Sequence, residues 1–149
     1  GLHTDARAAL DFLASREIPH EKVILYGESL GCGIAVRAAT EHHFSAVILE
    51  APYTSIADVA QRQYWFLPVR WLVRDRYDTL AIINRITSPV VVIHGEQDDI
   101  IHVSFGKRVF AAAPEPKTAW FFEGAGHNNL KEFGFDTRLL DYLQQNRFR

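Results

Sequence analysis

Val23-Ile24-Leu25-Tyr26-Gly27-Glu28-Ser29-Leu30-Gly31 decides the reading of this chain: an apolar run, a serine between two glycines, then a helical pattern from Gly31 to Thr40. A short continuous apolar run marks a strand buried on both faces of a parallel sheet. Three similar runs follow, Ala46-Val47-Ile48-Leu49, Val90-Val91-Val92-Ile93 and Ala119-Trp120-Phe121-Phe122, each ending at a polar or glycine-containing turn. Helical patterns separate them: an opening one through Ala6, Ala9, Leu10 and Leu13 that stops before Ile18-Pro19, one over residues 78–86, and others at Phe105 to Ala113 and Asn129 to Gln144. Alternating strands and helices predict an α/β fold, a mostly parallel sheet with helices on both faces. Ligands bind such sheets beyond the carboxyl ends of the strands.

Composition narrows the function. In 149 residues, 48% are hydrophobic and 23% charged, a profile that supplies one core and predicts a single domain. A net charge of -2 with scattered basic residues excludes the footprint of a nucleic-acid binder. The single cysteine, Cys32, rules out an internal disulfide or a cysteine zinc cluster and fits a cytoplasmic setting. No apolar run approaches the roughly 20 residues of a membrane span. The chain has no Met and opens on Gly1-Leu2-His3-Thr4-Asp5, directly in a helical pattern; we expect it to be a fragment whose N-terminal portion is missing. Membrane contact is then expected only if that portion carries an anchor.

The serine sits where a strand-turn-helix nucleophile elbow would place it. The flanking glycines are expected because so tight a turn leaves little room for side chains, while the serine is held strained with Oγ projecting into the site. The helix that follows aims its N-terminal amides there, and the Leu30 amide can donate to a developing oxyanion. Near neutral pH a serine hydroxyl needs a base, and the base needs a group to orient it. Asp98 follows the third strand in His94-Gly95-Glu96-Gln97-Asp98, and His127 follows the fourth in Gly124-Ala125-Gly126-His127-Asn128. All three residues fall just past strand ends. Their order, Ser then Asp then His, differs from that of the chymotrypsin and subtilisin triads.

With Glu50-Ala51-Pro52-Tyr53-Thr54-Ser55, Ser88-Pro89-Val90 through Asp98, and Gly124 through Asn129, the elbow makes the chain resemble the second half of an α/β-hydrolase. The likeness is closest to the serine-aminopeptidase-like branch with its unassigned esterases and acyl-protein thioesterases. The resemblance implies strands five to eight of that sheet, a Ser29–His127–Asp98 triad, no metal or organic cofactor, and a small-molecule or acyl-protein substrate. It also implies earlier strands and a His-Gly-containing oxyanion loop, both absent from this sequence. The alternative is a non-catalytic binding or scaffold protein, or an inactive fragment, on the same fold.

Other residues have competing readings. Residues 51–76 interrupt the alternation with Tyr53, Tyr64, Trp65, Phe66 and Trp71 among Arg62, Arg70, Arg74 and Arg76. They form a lid or acyl-binding wall, with Tyr53 and Trp65 touching substrate, or an ordinary packing helix. Asp99 is expected in solvent, and Glu50, at the end of the second strand, is the reserve candidate for the triad acid. Glu28 is expected to be structural, Cys32 a buried inert thiol, and His94 a structural histidine. His42 and His43 are adjacent and face different ways, which excludes a helical metal pair. His3, His20 and His102 have no assigned partner. Gly27, Gly31 and Gly33 match neither dinucleotide nor phosphate-loop spacing.

Overall fold

The computed structural model describes residues 1–64, 66 and 77–146. Its apolar runs become four parallel strands, β1 (Ile24–Glu28), β2 (Ala46–Glu50), β3 (Val90–Gly95) and β4 (Lys117–Phe122), ordered β1-β2-β3-β4 across the sheet. Every residue of β2 and β3 is buried, as expected for strands covered on both faces. Strands β1 and β4, expected to be covered likewise, are only partly buried, with Tyr26 46% exposed, because they are the outer strands of the described sheet. The register sets Glu28 beside Glu50 and Gly95 beside Phe122, so the carboxyl ends of the strands share one edge of the sheet.

The helices are α1 (Leu2–Ser15), α2 (Gly31–Ala39), α3 (Ile56–Gln63), α4 (Thr79–Ile82), α5 (Val103–Ala112) and α6 (Phe135–Gln145). On one face of the sheet, Leu10 of α1, Val36 of α2 and Phe105 and Val109 of α5 pack with Val47, Leu49, Val90 and Val92. On the other, Phe135 of α6 and Leu130 pack with Ile48, Val91, Ile93 and Trp120. Period-two alternation along β2 and β3 thus feeds two cores at once. The α/β architecture agrees with the sequence reading.

Local chemistry explains the element ends. The chain leaves α1 through Glu17 in a left-handed conformation (φ 60°), and the Ile18 amide reaches back 3.1 Å to the Leu13 carbonyl. Ser55 opens α3 by accepting the Asp58 amide at 3.0 Å. The expected helix over 129–144 is in fact two pieces. A 3₁₀ turn at Leu130–Phe133 ends at Gly134, whose φ of 78° breaks the helical path before α6 starts. Of the 51–76 segment, α3 packs Ala57, Ile56 and Val59 inward, whereas Trp65, Arg70, Trp71, Arg74 and Arg76 lie outside the described residues. No described helix is long and apolar enough to cross a membrane.

Candidate active site

Ser29 follows β1 directly and holds φ at 50°, a left-handed backbone that a non-glycine residue adopts only under constraint. Several contacts impose it. The Ser29 amide donates to the Glu50 carbonyl of β2 at 2.9 Å, and its carbonyl accepts the Cys32 amide at 3.0 Å. The Cys32 thiol, fully buried, donates to the carbonyls of Gly27 and Glu50 at 3.1 Å each. Burial pushes that thiol well above its usual range, so it stays protonated. The Tyr53 hydroxyl donates to the Leu30 carbonyl at 3.3 Å from beneath, where the ring is 2% exposed.

The two glycines of the elbow are not equivalent. A Cβ on Gly27 would stand 2.7 Å from the Gly31 carbonyl oxygen and 2.8 Å from Cys32 Cα, both backbone, whereas a Cβ on Gly31 meets nothing within 4 Å. The expectation that both positions exclude side chains is therefore corrected at Gly31. Among the described residues the Leu30 amide has no acceptor, which leaves it free at the start of α2.

Asp98 and His127 come together. His127 Nδ1 donates to Asp98 Oδ2 at 2.7 Å, with the carboxylate fully buried and the imidazole 9% exposed. The other oxygen, Oδ1, accepts the amides of Ile100 at 2.9 Å and Ile101 at 2.7 Å, so the acid is fixed by its own loop. His94, buried on β3, donates from Nε2 to the Ile101 carbonyl at 2.7 Å and stands 3.3 Å from Asp98 Oδ2. Burial alone would raise Asp98, but hydrogen bonds from His94, His127 and the Ile101 amide outweigh it and hold the carboxyl below its ordinary range. An imidazole held at Nδ1 by a carboxylate keeps Nε2 free to accept a proton.

Gly95 makes that couple possible. A Cβ there would lie 2.4 Å from the Ala125 carbonyl oxygen and 2.5 Å from that of Gly126, and the Gln97 amide donates to Ala125 at 2.8 Å. The acid loop and the histidine loop thus touch backbone to backbone.

Among the described residues the Ser29 hydroxyl forms no hydrogen bond to His127. Asp99 is exposed, and the Glu50 carboxyl accepts the Tyr26 hydroxyl. Glu28, His42 and His43 are exposed, and Trp65 lies outside the described residues. No three described His, Cys, Asp or Glu side chains converge as metal ligands. The sequence reading missed Gly95 and the Tyr26–Glu50 pair. Period two along β1 places Tyr26 and Glu28 on one face, but only the register shows Glu50 within reach.

Residues 3–133 match the prolyl oligopeptidase family. The chain is 38% identical over 142 residues to an uncharacterized protein of Mycobacterium tuberculosis, covering 95% of this chain and 48% of that protein. It is 35% identical over 150 residues to the Homo sapiens alpha/beta hydrolase domain-containing protein 17B, covering 97% and 49%. The chain therefore spans about half the length of the curated relatives it matches. Among solved structures, it superposes on the esterase domain of a Rhodothermus marinus protein with a TM-score of 0.73 at 22% identity, over 96% of this chain and 68% of that one. A puromycin-hydrolyzing peptidase of M. tuberculosis gives 0.69 at 23% identity, over 85% and 22%. At that identity the structural likeness speaks for the fold.

Proposed function

Since the chain belongs to the prolyl oligopeptidase family, within the α/β-hydrolase superfamily, we propose that it carries the reacting groups of a serine hydrolase. Ser29 is the nucleophile, His127 the general base and Asp98 the acid that orients it. The observation that carries this reading is the 2.7 Å Asp98–His127 hydrogen bond, beyond the same strand ends as a serine with φ 50°.

Ser29 Oγ attacks the carbonyl carbon of an ester, thioester or amide while its proton passes to His127 Nε2. The Leu30 amide donates to the oxyanion that forms. His127 then gives the proton to the leaving group, and water, deprotonated by the same nitrogen, releases the acid and restores Ser29. Asp98 holds the tautomer and stabilises the imidazolium. The substrate is a small molecule or an acylated protein. Tyr53, expected to touch substrate, is 2% exposed and acts instead by supporting the elbow from below, through the Leu30 carbonyl.

Mass-spectrometric mapping of a fluorophosphonate probe tests the assignment. Labelling is expected at Ser29 alone and is expected to fall by about 10⁴-fold or more in Ser29→Ala and His127→Ala. A folded protein, checked by circular dichroism, that labels elsewhere or keeps its rate in either variant would sink it.

A further inference from the structure

Glu50 is a carboxyl for which the reaction above has no task. It ends a strand that is otherwise Ala-Val-Ile-Leu, and it is 8% exposed. A carboxylate so placed is costly unless something holds it or uses it. Its backbone already serves the elbow, since the carbonyl accepts the Ser29 amide and the Cys32 thiol. A Gln side chain at this position could equally accept the Tyr26 hydroxyl, so neither task calls for a charge.

The side chain opens onto a cavity of about 630 Å³ that is also lined by His127. The titratable groups around that cavity are Tyr26 and Glu28 of β1, His127 of the loop after β4, Lys131 of the 3₁₀ turn and Asp136 of α6. Tyr26 fixes one carboxyl oxygen, Oε2, and with it the direction of the group. His127 thus meets the carboxylate of Asp98 and shares the cavity with the carboxyls of Glu28, Glu50 and Asp136, of which Glu50 is buried and the other two are exposed. Asp98 holds Nδ1 directly, and Glu50 shares the cavity without a hydrogen bond to the ring.

We propose that Glu50, held by Tyr26, is a positioning residue that acts on His127 through its charge, stabilising the imidazolium across the shared cavity. The inference rests on the acyl-transfer reading, in which His127 becomes cationic in the transition state. The coupling is reciprocal. Burial pushes the Glu50 carboxyl above its usual range, His127 and Lys131 draw it back down, and Asp136 pushes it up again. Two charges act on each other with the same energy, so a test can read either partner.

The test is an NMR titration of the His127 Cε1–Hε1 signal, assigned with His127→Gln, in the wild-type chain, Glu50→Gln and Glu50→Asp. Loss of the charge is expected to lower the His127 pKa by roughly half a unit to one unit. Glu50→Asp is expected to restore at least half of the shift, and the acid limb of the probe-labelling rate at Ser29 is expected to move with it. A merely structural Glu50 would lower the labelling plateau and leave the limb in place. An unmoved His127 pKa in folded Glu50→Gln overturns the proposal. If that variant does not fold, the Glu50 Cδ titration in His127→Gln replaces it, with a raised carboxyl pKa expected and an unchanged one overturning the proposal. A shifted His127 pKa in a protein that never labels at Ser29 keeps the coupling and overturns the acyl-transfer reading.

Discussion

Ser29 stands in a left-handed backbone between glycines of unequal necessity. Gly27→Ala puts a methyl group against backbone that has no rotamer to change, so the elbow itself must open. We expect a loss of about 2 kcal/mol or more in denaturant unfolding, with loss of labelling at Ser29. Gly31→Ala enters open space at the first residue of α2, and replacing Gly by Ala in a helix is expected to stabilise by up to about 1 kcal/mol. Equal damage from both substitutions would show that the turn is not built as described. The motif announces both glycines but not their difference, which depends on how closely the start of α2 crosses over β1. For the same reason the sequence names Asp98 and His127 but is silent on Gly95, whose role depends on two loops meeting from positions thirty residues apart.

Each element was legible where its apolar run is continuous and indistinct where side chains set its ends. The four apolar runs locate the strands, yet β1 and β3 continue through Gly27-Glu28 and His94-Gly95, because ladder bonds persist after the apolar run stops. Helix α5 starts at Val103, earlier than its apolar pattern, since the His102 side chain accepts the Ser104 amide as a cap. At its other end Lys117, the first residue of β4, turns its ammonium back onto the carbonyls of Phe110 at 3.0 Å, Ala111 at 3.2 Å and Ala113 at 2.9 Å. A cation there answers the unpaired carbonyls and the negative end of the helix dipole. Lys117→Met is expected to cost about 1–2 kcal/mol in chemical denaturation, and a neutral result would mean that water caps α5 equally well.

Across the whole molecule the proposed reacting groups and Glu50 are spread over two pairs of strands, with Ser29 following β1, Glu50 ending β2, and Asp98 and His127 following β3 and β4. Stability is expected to depend on the ionisation of Asp98 in the second pair. Asp98 has its carboxyl lowered in the folded state, so its contribution is complete above the ordinary carboxylate value, about 3.9, and is lost as pH falls through the folded value. Urea melts of Asp98→Asn should show about 1–3 kcal/mol less stability than wild type above about pH 5, and a gap that closes as pH drops below about 4. A gap independent of pH would assign the cost to packing instead of charge. Strand order across the sheet repeats chain order, and along the chain the proposed nucleophile, Ser29, precedes the proposed acid, Asp98, and base, His127. On the proposed roles a nascent chain would carry Ser29 without His127 until β4 and the loop after it have been made, and its serine is expected not to react before then.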